Sequence, residues 1–206
     1  MLNSYHRTLF LMCWVSWGYH GRGKSINRFH LTVVNRSSTN GKAFRSDIPS
    51  PRYVLDEHKL RSNLKTLRKV NRLSGAKILC ALKAYALWRT FPMLNTYLEG
   101  ATASSLHEAM LCHEHFGTKA HLCAPVYLQH EFETITGISS HITFNSINQY
   151  KKYFKQALDK GLRIALRINP EYSEAATDIY NPCRPGSRLG ITRKAFGDRL
   201  PDHVTG

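Results

Sequence analysis

The sequence predicts an α/β fold built on a parallel sheet, and three observations lead there. From residue 48 onward short apolar runs alternate with amphipathic segments, the order that a parallel sheet with crossover helices requires. Two of those segments open on capping boxes, Ser105-Leu106-His107-Glu108 and Ser146-Ile147-Asn148-Gln149, so the helices have defined starts. No dinucleotide glycine pattern follows the first strand, which favours a barrel over an open doubly wound sheet. Five strands can be counted, whereas a closed (β/α)8 barrel needs eight and about 250 residues. An incomplete TIM-like barrel is therefore expected, ending before it closes and leaving two open sheet edges.

Each element has its own signal. Asp56 can cap a helix in which Leu60, Leu64, Leu67 and Leu73 are read as one apolar face, and Ser74-Gly75 ends it. Strands are expected at 77–82, 100–104, 120–124, 141–145 and 162–168. Helices are expected at 87–98, 106–116, 128–135 and 147–160, with Gly161 stopping the last.

A chain of 206 residues with 42% hydrophobic content can bury a real core. Its net charge of +15 is unevenly placed. Residues 1–48 hold seven Lys/Arg against one acid, and the remainder is +9. Six basic residues on the first helix, from Lys59 to Arg72, read as a solvated face; without interleaved aromatics they do not indicate nucleic-acid binding. The five cysteines, odd in number and widely spaced, suit a reducing, cytoplasmic setting. Cys112-His113-Glu114-His115 has metal-ligand letters, but adjacent helical positions fan around the axis, so no metal site is expected.

Residues 1–47 follow a different grammar and are expected to be a basic leader, non-native or disordered, ahead of the barrel part at 48–206. Their apolar block at 9–17 is too short to span a membrane, and no convincing cleavage site follows it. Translation from upstream of the true start is the favoured explanation. Gly18-Tyr19-His20-Gly21-Arg22-Gly23-Lys24-Ser25 matches a phosphate-loop pattern and keeps a nucleotide binder open as an alternative. Against it, no amphipathic helix follows and no later strand ends in an aspartate for magnesium.

The chemistry concentrates on Lys83, at the end of the apolar run Lys77-Ile78-Leu79-Cys80-Ala81-Leu82. A lysine carried there is expected to be partly desolvated, which lowers its pKa and leaves an amine able to condense with an aldehyde such as pyridoxal phosphate.

Ala81-Leu82-Lys83-Ala84-Tyr85-Ala86 and Thr102-Ala103-Ser104-Ser105-Leu106-His107-Glu108-Ala109 resemble the pyridoxal-phosphate decarboxylases with an alanine-racemase-like barrel, the group of the diaminopimelate and ornithine decarboxylases. The runs Arg167-Ile168-Asn169-Pro170-Glu171-Tyr172-Ser173-Glu174 and Asp178-Ile179-Tyr180-Asn181-Pro182-Cys183-Arg184-Pro185-Gly186-Ser187-Arg188-Leu189-Gly190-Ile191 narrow this to the carboxynorspermidine (carboxyspermidine) decarboxylase family. The resemblance covers about residues 48–206 and implies that Lys83 carries pyridoxal 5'-phosphate and that Arg167 meets the phenolic oxygen of the cofactor. It places Ser104 and Ser105 at the catalytic mouth, with Asp178 and Arg188 in a loop beside it. It further implies removal of the α-carboxyl of a carboxylated triamine to give norspermidine or spermidine, a homodimer when full length, and no membrane or nucleic-acid partner. The family's phosphate loop, the acidic partner of the ring nitrogen and the C-terminal β domain have no counterpart here, so the chain is expected to be an N-terminal part, inactive alone. A pyridoxal-phosphate barrel that does not decarboxylate is the other alternative.

Overall fold

The computed structural model describes residues 8–9, 31–34 and 53–206, the first two stretches by their backbone alone. Its centre is a parallel sheet of five strands in chain order: β5 (Cys80–Ala81), β6 (Ala101–Ala103), β7 (Ala120–Cys123), β8 (Ser139–Phe144) and β9 (Arg163–Leu166). The sheet does not close. Every expected strand is present, although the first divides at Leu79 into β4 (Lys77–Ile78) and β5.

Chain outside the barrel pattern also pairs in parallel. The backbone of β1 (Thr8–Leu9) lies along β4, and β2 (Leu31–Val34) lies along β3 (Tyr53–Asp56). The phosphate-loop pattern at 18–25 falls outside the described residues. No helix among the described residues is long and apolar enough to cross a membrane.

Helix α1 (Glu57–Ser74) begins where Asp56 accepts a hydrogen bond from Lys59 N at 3.1 Å, and ends at Gly75, whose φ of 68° is the left-handed turn glycine tolerates. Leu60 and Leu64 are buried and Leu67 partly so, but Leu73 is 79% exposed. At about 100° per residue Leu73 lies roughly 140° around the axis from Leu60, so it never belonged to that face.

Along each strand the core takes alternate residues, as the pleat demands. Ala101 and Ala103, Ala120 and Leu122, Ile142 and Phe144, Ile164 and Leu166 all enter the hydrophobic core. Helix α5 (Ile147–Asp159) packs Tyr150, Tyr153 and Ala157 into that core, and α4 (Phe132–Ile138) adds Phe132 and Ile135. The other strand face carries Thr102, His121, Cys123, His141, Thr143 and Arg163, all outside the core.

One expected edge is partly taken. Beside β9, Val204 bridges Ile164, Thr205 N donates to Ile164 O at 2.8 Å and Leu166 N donates to Gly206 O at 2.9 Å.

Candidate active site at the C-terminal end of the sheet

Because all five strands run the same way, the residues just past their ends gather at one edge, where parallel α/β folds place their chemistry. Lys83, Ser104, Asn145 and Arg167 all follow strand ends there.

Lys83 sits in a tight turn directly after β5. Leu82 N still donates to Thr102 O at 3.1 Å, and then Ala84 N and Tyr85 N both turn back to Ala81 O, at 2.9 and 3.0 Å. The turn is braced from below. The buried Tyr85 hydroxyl meets Thr90 Oγ1 at 2.8 Å, and Thr90 Oγ1 in turn donates to Leu87 O at 2.8 Å. Leu82 is only 2% exposed, yet Lys83 itself is exposed, which corrects the expectation of a lysine desolvated by its strand. The buried run stops one residue earlier, and Lys83 falls on the exposed part of the turn.

Arg167 follows β9 and is half-buried. Its N–H donates to Phe144 O at 2.9 Å and its carbonyl accepts from Ile191 N at 2.8 Å, so its backbone is held from both sides. It makes no ion pair among the described residues.

Ser104 is tied down rather than free. Its N–H and its hydroxyl both donate to Glu108 Oε2, at 2.7 and 2.9 Å. Ser105 Oγ accepts from Glu108 N at 3.2 Å, so this serine caps helix α3 (Leu106–Leu111) as its capping box foretells. Asn145 repeats the pattern two strands on: its N–H donates to Gln149 Oε1 at 2.8 Å, while Ser146 Oγ accepts from Gln149 N at 3.2 Å and caps α5.

Asp178 and Arg188 are both exposed in the segment that returns to the sheet at Ile191. The structure thus brings Lys83, Ser104 and Arg167 to one end of the sheet and leaves Asp178 and Arg188 on a loop beside it. Among the described residues no three His, Cys, Asp or Glu side chains converge as metal ligands would. A lysine amine and an arginine cation at a strand-end mouth are groups suited to pyridoxal phosphate, whereas the Ser104 hydroxyl is already committed to Glu108.

Sequence reasoning missed the open face below this mouth. In register across β6 to β9 lie Thr102, His121, His141 and Arg163. The two imidazoles stack with centroids 3.6 Å apart. Burial, then the neighbouring charges of Lys77 and Arg163, lowers each to about 4, and His121 also feels His141. Strand alternation could have found the pair, since both histidines hold the positions that skip the core.

No protein-family model matches the chain. It is similar to a carboxyaminopropylagmatine decarboxylase of Synechocystis, 42% identical over 161 residues, which cover 78% of this chain and 42% of the relative. It is also similar to carboxynorspermidine/carboxyspermidine decarboxylases of Campylobacter jejuni and Herminiimonas arsenicoxydans. These are 39% and 38% identical, across 74% and 77% of this chain and 40% and 43% of theirs. A crystal structure of carboxynorspermidine decarboxylase from Campylobacter jejuni, complexed with norspermidine, superposes with a TM-score of 0.66. It is 33% identical, covering 76% of this chain and 40% of that one. The chain spans about two fifths of the length of the curated relatives it matches. Over about three quarters of its residues the chain is thus similar, at 33–42% identity, to decarboxylases of carboxylated polyamine precursors, and its open five-strand parallel sheet superposes on part of one of them.

Proposed function

We propose that the chain forms part of a pyridoxal-phosphate-dependent enzyme that removes the α-carboxyl of carboxynorspermidine or carboxyspermidine, yielding norspermidine or spermidine. The observation that carries this reading is the placement of Lys83 and Arg167 past strand ends at one edge of the sheet, within a segment 38–42% identical to polyamine-forming decarboxylases.

Lys83 would hold the cofactor covalently, and the turn that follows β5 fixes the backbone from which its side chain extends. Arg167, its backbone secured by Phe144 and Ile191, would present a cation able to keep the phenolic oxygen of the cofactor ionised. When bound, pyridoxal phosphate supplies a ring that takes up the electron pair left by departing carbon dioxide. Because Lys83 is exposed, the described residues do not exclude water from that amine. The reading therefore includes a chain that gives no turnover alone, and a homodimer for the full-length enzyme. The odd number and wide spacing of the five cysteines fit a reducing, cytoplasmic setting.

The test is to incubate the chain with pyridoxal phosphate, reduce with borohydride and map the peptides. The label is expected on Lys83; a label on Lys77 or Lys119 instead overturns the site. The relative named for carboxyaminopropylagmatine favours a second substrate reading, a carboxylated aminopropylagmatine in place of a triamine. Comparing carbon dioxide release from both compounds by the full-length enzyme, against free cofactor as background, separates the two.

A further inference from the structure

Asn145 is a buried polar side chain at the mouth whose amide the site as described so far does not use. It is 8% exposed at the end of β8, and it reaches across to backbone more than forty residues away. Its Nδ2 donates to Arg188 O at 2.7 Å and its Oδ1 accepts from Gly190 N at 2.9 Å, so one amide takes both ends of a short turn. The turn is shaped to receive it. Gly190 has a φ of 88°, and a Cβ there would meet Asn169 N at 2.9 Å and Ile168 C at 3.0 Å, so only glycine lets this strand of backbone lie flat on residues 167–169. Directly after it, Ile191 N donates to Arg167 O and Asn169 N donates to Ile191 O, at 2.8 and 2.9 Å. Asn145 is itself anchored, since Gln149 accepts from its N–H and donates its own Nε2 to Pro125 O at 2.7 Å. The ends of β7, β8 and β9 and the returning loop are thereby joined.

We propose that Asn145 is a positioning residue that latches the loop between Pro170 and Gly190 onto the mouth of the sheet and, through Ile191, fixes the backbone from which Arg167 meets the cofactor. This rests on the reading of Arg167 given above. A buried amide satisfied on both sides by backbone specifies one geometry, and removing it strands a donor and an acceptor.

The latch holds the carbonyl of the Arg188–Leu189 bond, a site trypsin cuts, whereas Arg184 precedes proline and is not cut. The exposed Lys194–Ala195 bond serves as an internal reference. Digest the chain with trypsin and follow the ratio of the two cleavages. In Asn145→Ala the ratio should rise about tenfold or more, as expected for losing two net hydrogen bonds. Gly190→Ala reaches the latch from the other side and should raise it likewise. Ser146→Ala, which only uncaps α5, should leave it unchanged; an equal rise there would show that general loosening is responsible and would overturn the latch. The second measurement is affinity for pyridoxal phosphate, read by its absorbance on binding. Asn145→Ala should weaken it by about fivefold, roughly one hydrogen bond's worth, in parallel with Arg167→Ala. A loosened loop with unchanged cofactor affinity overturns the positioning role. A parent chain that labels at Lys83 while Asn145→Ala changes neither readout sinks this inference alone; a parent that takes no label sinks the function on which it rests.

Discussion

Two imidazoles stacked on the open face of the sheet make the chain sensitive to mild acid. His121 and His141 are both lowered to about 4 from the ordinary 6.5, burial being the first cause. Above about pH 6.5 both are neutral whether the chain is folded or not, and they cost nothing. Between there and about 4 the unfolded chain takes up protons that the folded sheet refuses, so stability falls as pH falls. The melting temperature should therefore drop over that window, and His121→Gln with His141→Gln should flatten the slope. An unaltered slope in the double variant would mean that carboxylates govern the acid limb. The same scale shows what a sequence hides. Lys83 could be located from its apolar run, but its exposure depends on hydrogen bonds from Ala84 and Tyr85 back to Ala81, which no local pattern announces. Asn145 was invisible for a related reason: its partners, Arg188 and Gly190, become neighbours only when the loop after β9 returns to pair Ile191 with Ile168.

At the scale of elements, boundaries moved where side chains or an irregular turn replaced regular backbone bonding. A helix over 128–135 was expected, yet α4 runs Phe132–Ile138 and Leu128 is 46% exposed. The intervening loop is organised by Tyr127, whose hydroxyl accepts from Ala124 N at 3.1 Å and donates to Thr143 O at 2.8 Å. Its ring packs edge-on to Phe132 and Phe144, each 6.0 Å away, and burial pushes the phenol well above its usual range. Tyr127→Phe keeps the ring but strands the buried Ala124 N–H and removes the bond to the part-buried Thr143 carbonyl, which should cost about 1–3 kcal/mol in a urea melt. A loss well below that would show that water reaches Ala124 and Thr143. The helix expected over 87–98 is broken into a 3-10 turn, Trp88–Thr90, and α2 (Phe91–Asn95), with Pro92 at its start, where a missing N–H is harmless. The helix expected over 106–116 widens after Leu111 into a five-residue turn closed by Gly117 N on Cys112 O at 3.1 Å. Caps were the most legible signals, because Asp56, Ser105 and Ser146 act within four residues of themselves.

For the molecule as a whole, the parallel architecture and its incompleteness were both readable from strand–helix alternation and a strand count, whereas the pairings at its margins were not. β5 pairs with β6 and its continuation β4 with β1, while beside β9 the backbone at 204–206 covers only part of the edge. Unpaired backbone at a sheet edge recruits other strands. Sedimentation of the 206-residue chain should accordingly show association that grows with concentration. A monomer with a cooperative melt across the range would mean that the edge is protected in another way.

The strand order of the sheet, identical to the order of the chain, also bears on how the molecule is made. Within the five-strand sheet each strand finds its partner in the next strand along, after a crossover of about fifteen to twenty residues, so none of these pairings waits for a distant part of the chain. Short separations between partners favour rapid assembly. As the chain leaves the ribosome, β6 can settle on β5, β7 on β6, and so onward, each addition burying the helix-facing side of the strand before. The sheet can therefore grow one unit at a time at the pace of synthesis.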